Sequence, residues 1–326
     1  MSADRASFYT LQARNRRSSL LLTLSVIAVL ALFGFVAGYA FTASPAGAVA
    51  ATAIAIGVAT LLALGSYYRG DALVLAASRA RLVSEADAPA LHNVVRELSL
   101  AAGMPPPRVY LLDDTALNAF ATGRDPQHAS IAVTSGLLAA LDREELQGVV
   151  GHELSHVRNL DIRFALLVGV LVGSIALLAD VLLRWTWWGG AGRSRNREGG
   201  GGAQLIIVVL AVLLAIVAPI FARLVQLAVS RQREFLADGT GVELTRNPAG
   251  LERALAKIAA DSEVLEVANR ATQHLYIVNP IKKFEARSKG LFSTHPPILE
   301  RINRLRALRA LPPLAGGAEE TLAALD

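Results

Sequence analysis

His152, Glu153 and His156 stand in the spacing H-E-x-x-H. Around them Leu141, Leu146, Val149, Val150, Leu154 and Val157 recur at helical intervals, so the stretch from Leu141 reads as one helix. On a helix, residues four apart stand one above the other on the same face. The two imidazoles can therefore grip one cation. Neutral imidazoles suit Zn²⁺, which at a catalytic site takes one further protein ligand and keeps a position open for water. Glu153 is turned about 100° round the helix from His152, where it can meet that water without being a ligand. The chemistry on offer is metal-assisted activation of water. An ordinary amphipathic helix with two partly exposed histidines is the simpler alternative. Gly148 and Gly151, which let another backbone approach closely, and a carboxylate downstream weigh against it.

The chain has no cysteine, so a zinc site must be completed by histidine or carboxylate. Ser230-Arg-Gln-Arg-Glu234-Phe-Leu-Ala-Asp238 sets two acids four apart, on one face of a helix. Glu234 is the leading third ligand, because two histidines and a glutamate with an open position form a catalytic zinc set, and Glu243 is the fallback. One zinc per chain follows. Asp238, one turn on, can accept the other ring N–H of His152 and fix its tautomer. Asp161, five residues past His156, is a second candidate for such an acceptor. His295, in Ser293-Thr-His-Pro-Pro297, can donate to a developing oxyanion, or cap or pack a helix, and both readings stay open. His92, His128 and His274 have no partner at a ligating spacing and read as structural or surface residues.

These residues must be carried by a chain of 326 residues that is 53% hydrophobic, with mean hydropathy +0.43. That is too apolar for an ordinary soluble protein and points to the membrane class. The net charge is +5. In such a protein the excess reads as topological signal, and without an aromatic-interleaved basic patch it argues against a nucleic-acid partner. Absence of cysteine fits a reducing compartment.

Residues 1–17 are polar and basic, and read as a cytoplasmic N-terminus. Ser18 to Tyr68 holds no charged residue, enough for two spans of about 20 residues, near 19–41 and 46–66, with Pro45 and Gly47 at the turn. A cleavable signal peptide is the rival, but its apolar core is shorter and is not followed at once by a second span. Residues 69–162 form the first half of a catalytic domain. Helices are expected over 73–81 and 88–102, and strands over 108–113, 117–122 and 129–134. An edge strand beside a metal helix can hold an extended peptide. Asn118, Ala119, Phe120 and Ala121 are nominated for that task, with an internal strand as the alternative. Residues 163–222 form a second hydrophobic hairpin, with segments 164–188 and 199–222 around a Gly/Arg-rich loop at 189–202. Either both segments cross or neither fully does, and in both cases the two catalytic halves share one side. Residues 223–310 form the second half, with helices beginning at Pro248 and at Pro296-Pro297. Residues 311–326 read as a flexible tail.

Taken together, Asn118-Ala-Phe-Ala-Thr-Gly123, Gly151-His-Glu-Leu-Ser-His156 with Asn159 and Asp161, Ser230 to Asp238, and Ser293 to Pro297 resemble the HtpX-type membrane zinc metalloproteases. These are relatives of the type I CAAX prenyl proteases. The resemblance runs from the N-terminal hairpin to about residue 310. It implies an α-helical integral membrane protein with four transmembrane segments and a mainly helical, α+β catalytic domain of zincin type carrying a small β-sheet. It further implies a multi-pass protein of the bacterial inner membrane with its active site in the cytoplasm. The implied partners are the lipid bilayer and misfolded or damaged membrane proteins, cut in stress-response quality control. His152, His156 and Glu234 then look like the zinc ligands and Glu153 like the catalytic base. The Gly/Arg-rich loop departs from the pattern.

The resulting mechanism is metal-assisted peptide hydrolysis, with Glu153 taking a proton from water and passing it to the leaving amine. The start of a span at residue 164 puts the site close to the bilayer. Two other functions compete with it. One is a dedicated processing protease of the prenyl-protease type, and the other a zinc-binding membrane scaffold without turnover. A zinc transporter fits less well, because the histidines flank the spans rather than lie within them.

Overall fold

A computed structural model describes residues 8–42, 44–167, 209, 213, 231–261, 263, 265, 276–277 and 296–314. Most of the second hydrophobic hairpin, its 189–202 loop, His274, His295 and the tail from 315 lie outside the described residues. The chain divides into two compact units.

One unit is built on residues 16–69, with Leu167. It holds helix α1 (Phe8–Thr42) from Arg16 on and helix α2 (Pro45–Ala77) up to Arg69, both long and apolar enough to cross a membrane, while residues 8–15 of α1 and 70–77 of α2 belong to the other unit. Pro45 opens α2, the position where its missing N–H and fixed φ suit a helix start. The two helices meet at small residues. A Cβ on Gly34 would fall 2.6 Å from the Ala55 Cβ, and one on Gly38 would fall 2.5 Å from the Ala51 Cβ. Glycines four apart on one face let backbones pack closely where lipid gives no hydrophobic drive between helices. Elsewhere Leu20, Leu21, Leu24, Ile54 and Leu61 leave their side chains uncovered by protein.

The other unit carries the chemistry. A four-stranded sheet comprises β1 (Arg81–Leu82), β2 (Arg108–Leu112), β3 (Ala119–Gly123) and β4 (Ala129–Thr134). The order is β1-β2-β4-β3, and β3 forms an edge. β2 and β4 run parallel, with Val109 opposite Ile131, and the other two pairings are antiparallel. Around the sheet lie α3 (Pro89–Ala102), α4 (Ser135–Ala140), α5 (Arg143–Arg158), α6 (Arg231–Thr245), α7 (Pro248–Ala260) and α8 (Ile298–Leu308).

Helix α5 is the centre of this unit. Asp142 accepts the Glu145 N–H at 2.9 Å, and Glu145 accepts the Asp142 N–H at 2.8 Å, a reciprocal cap that starts the helix. Val149, Val150, Leu154 and Val157 are fully buried with Leu91 and Val94 of α3 and Leu251 and Leu255 of α7. Close packing follows from the glycines of α5. A Cβ on Gly148 would stand 2.6 Å from the backbone of Leu251. One on Gly241 of α6 would stand 3.0 Å from the His152 backbone nitrogen.

Two local readings differ from the structure. The helix expected from Leu141 starts two residues later, because Leu141 is extended and ends α4, and Asp142 caps the new helix α5. The helix expected over 73–81 is the end of α2, which stops at Ala77, after which Arg81 and Leu82 pair with β2. That pairing is long-range and leaves no periodic mark in a two-residue strand.

Candidate active site

Helix α5 presents His152, Glu153 and His156, and α6 brings Glu234 and Asp238 against it. The His152 and His156 Nε2 atoms lie 3.2 Å apart. Glu234 Oε2 lies 3.6 Å from the first and Oε1 lies 3.6 Å from the second. A tetrahedral ion with ligand bonds of about 2.0–2.1 Å holds neighbouring ligand atoms about 3.3 Å apart. Two imidazole nitrogens and a carboxylate, at nearly that spacing, can hold such an ion, and the three ligand atoms all fall within 4.8 Å of one another. Glu243 makes no part of this group.

The far nitrogens are fixed by two different acids. His152 Nδ1 lies 2.9 Å from Asp238 Oδ1, and His156 Nδ1 lies 3.1 Å from Asp161 Oδ2. A carboxylate only accepts, so each Nδ1 carries the proton and each Nε2 lone pair is left for a cation. Asp161 thus serves His156, across the turn that ends α5, while Asp238 serves His152.

Sequence reasoning missed Arg301. Its side chain is entirely buried and donates to Asp238 twice, from Nε at 2.9 Å and from Nη2 at 2.6 Å. Nη1 donates to the Ile277 carbonyl at 3.1 Å and lies 3.7 Å from Glu234. Nη2 also comes within 3.3 Å of His152 Nδ1, but that nitrogen already donates to Asp238, so this approach is a charge contact rather than a hydrogen bond. A signal was available in the sequence: Arg301 falls among Ile298, Ile302 and Leu305, on the face of α8 that should be apolar.

The two histidines titrate apart. Burial pulls His152 down to about 4, helped by the Arg301 charge, against the upward pull of Asp238. Burial also pulls on His156, but the hydrogen bond to Asp161 and the charges of Glu234, Asp161 and Glu153 carry it up to about 9. Burial pushes Glu153 up to about 7, with Glu234 adding to the rise, while His156 and the backbone N–H of Ala121 oppose it. A carboxylate poised near neutrality is suited to take and return a proton. Burial would raise Asp238, yet Arg301 and His152 hold it below the ordinary carboxylate range.

Of the strand residues, Ala121 reaches the site, donating its backbone N–H to Glu153. Ala119, two residues away, turns its carbonyl to the same outer edge and accepts the Ile277 N–H at 2.9 Å. Phe120 forms an isolated bridge with Tyr276, and their rings pack edge to face at 5.0 Å. Asn118 is buried, its N–H donating to Thr134 Oγ1 at 3.1 Å and its Oδ1 accepting the Ala119 N–H at 3.0 Å. His92 makes a contact of 3.1 Å with the Val83 carbonyl, and His128 pairs with Asp125, so both lie outside the site.

Residues 85–309 match Peptidase family M48. A protein named Protease HtpX homolog from Streptococcus gordonii is 43% identical over 296 residues, covering 91% of this chain and 98% of that one. A Protease HtpX homolog from Thermoanaerobacter pseudethanolicus is 42% identical over 305 residues, covering 94% and 99%. Among solved structures, that of S. mikatae Ste24p aligns with TM-score 0.46 and 16% identity, over 91% of this chain and 67% of that one. The chain belongs to peptidase family M48, as a membrane-bound metalloprotease.

Proposed function

We propose that this chain is a zinc endopeptidase of the bacterial inner membrane, working from the cytoplasmic face on misfolded or damaged membrane proteins. His152, His156 and Glu234 hold one zinc ion per chain, and the convergence of their three ligand atoms is the observation that carries the reading. When bound, zinc supplies Lewis-acid activation of water and of the scissile carbonyl. Glu153, buried beside the ligands, takes a proton from the attacking water and delivers it to the leaving amine. Asp238 and Asp161 keep both imidazoles in the tautomer whose Nε2 is free. The outer edge of β3, around Asn118 to Ala121, holds the substrate backbone as an added strand. Because Ile277 already occupies the Ala119 carbonyl, a substrate strand either displaces Tyr276–Ile277 or pairs beyond Ala121. The location, a four-span topology and the quality-control role rest on the basic N-terminus, the two apolar helices and the similarity to the HtpX homologues.

The test is zinc stoichiometry and casein cleavage on detergent-purified protein. Wild type should carry one zinc and cut casein, with cutting abolished by a chelator. Glu234→Ala should lose both, and Glu153→Gln should keep zinc while turnover falls by about 10²–10⁴. Full zinc content in Glu234→Ala moves the third ligand elsewhere, and retained turnover in Glu153→Gln removes it as the base.

A further inference from the structure

The turn that ends α5 is strained and lies next to a metal-binding histidine. Asn159 closes the helix, Leu160 takes φ 61, and Asp161 follows with its carboxylate turned back to His156. A leucine in the left-handed region costs roughly 1–2 kcal/mol, so the turn persists only if its surroundings hold it. Leu160 is buried, which supplies part of that hold.

The rest comes from far away in sequence. Asn15, on α1, is 3% exposed. Its Nδ2 donates to the Asn159 carbonyl at 2.8 Å and to Asp161 Oδ1 at 2.7 Å. Both partners are acceptors, so only the NH₂ side of the amide can face them, and its two hydrogens are matched to two oxygens. The pair flanks Leu160, one acceptor before it and one after. The other oxygen of Asp161 accepts the His156 Nδ1–H. Among the described residues the other charge placed near this carboxylate is Arg233, whose Nη1 is 3.7 Å from Oδ1. It is too distant for a hydrogen bond and does not hold the carboxylate plane. Asn15 therefore holds both the shape of the turn and the orientation of the acid that aims His156.

We propose that Asn15 is a positioning residue for His156, acting through Asp161, and that it sets how long the site retains its metal ion. This rests on the reading that His156 is a metal ligand. Without the Asn15 amide, Asp161 can rotate away, and His156 loses the hydrogen bond that fixes its tautomer and ring plane. Removing an outer partner of a ligating histidine typically weakens metal binding 10–100-fold.

The experiment measures zinc release from the full-length, zinc-loaded protein in detergent, using a chromogenic chelator, together with kcat and KM for a peptide reporter. Asn15→Ala should release zinc 10–100-fold faster than wild type, with KM unchanged and kcat restored by excess zinc. Asn15→Asp keeps the volume but sets a carboxylate against two acceptors, and it should release zinc at least as fast. Asp161→Ala should do the same, and Asn15→Ala in that background should add no more than about twofold, because the two act in one chain. Wild-type zinc retention in either Asn15 variant overturns the proposal, as does a fully additive double variant. His156→Ala separates the two readings. If it keeps zinc, the ligand assignment fails. If it loses zinc while Asn15→Asp retains it, only the role of Asn15 fails.

Discussion

Arg301 and Asp238 form a two-pronged ion pair, at 2.9 and 2.6 Å, behind the imidazole of His152. The guanidinium cancels the charge of the acid that His152 donates to, which is why burial prevails there and His152 is held neutral, at about 4. His156 has an equivalent bond to Asp161 but, among the described residues, no such fork behind it, and it rises to about 9. The same residue type, at the same helical face, thus carries different protons because its acids are differently compensated.

Arg301→Met should be strongly destabilising. It leaves Asp238 and Glu234 buried without the cation that faces both. Breaking a buried pair by removing one partner costs about 3–5 kcal/mol. Thermal unfolding of the detergent-solubilised protein should show a clear drop in midpoint, with Arg301→Lys between the two, since lysine keeps the charge but not the fork. An unchanged midpoint in Arg301→Met means the pair contributes nothing net to the fold.

Zinc affinity should depend on pH through His156. With that residue at about 9, a cation binding at neutral pH must expel its proton. Apparent affinity should fall about tenfold for each pH unit below 9, with about one proton released per zinc from this group. Calorimetry in buffers of differing ionisation enthalpy measures the release directly. Equal affinity at pH 7 and pH 8 contradicts the raised value.

Glu153 makes the metal-stripped protein weaker at alkaline pH. Its folded value of about 7 exceeds the ordinary 4.5, so the folded state binds the proton more tightly. The favourable contribution is complete below about 4.5 and is lost as pH rises to 7. Glu153→Gln removes that dependence. The chelated variant should exceed chelated wild type in stability by about 1–3 kcal/mol at pH 8, and the difference should vanish near pH 4.5. Unfolding midpoints across that range decide it, and equal stability at pH 8 rules out the burial penalty.

Gly148→Ala should disturb the packing that holds the site together. The added methyl meets the Leu251 backbone at 2.6 Å, and a backbone atom cannot turn aside as a side-chain tip can. Overpacking of this kind costs about 1–3 kcal/mol. Gly239→Ala is the control, because a Cβ there meets nothing within 4 Å and the residue is exposed on α6. It should be neutral or slightly stabilising. Equal effects in the two variants would dismiss the close α5–α7 approach as the cause.

The local parts of the site were legible in the chain itself. H-E-x-x-H on an apolar 3.6-residue period places His152 and His156 on one face, and the same period pairs Glu234 with Asp238. Those relations hold within one helix, where spacing is geometry. The three longer strands were legible from their β-branched and aromatic runs, because the sheet's period of two acts over a few residues. What only the tertiary structure decided lies between elements. It assigned Asp238 to His152 and Asp161 to His156, buried Arg301 behind one and set Asn15 behind the other, and placed Ile277 on the edge of β3. Asn15 and Asp161 are separated by 146 positions and Arg301 and Asp238 by 63, and no local period links residues so far apart. Arg301 meets Asp238 because α6 and α8 pack together in the unit built on α5, and Asn15 meets Asp161 because the first turns of α1 reach the turn that ends α5, so a buried arginine and a buried asparagine each find partners at the candidate metal site.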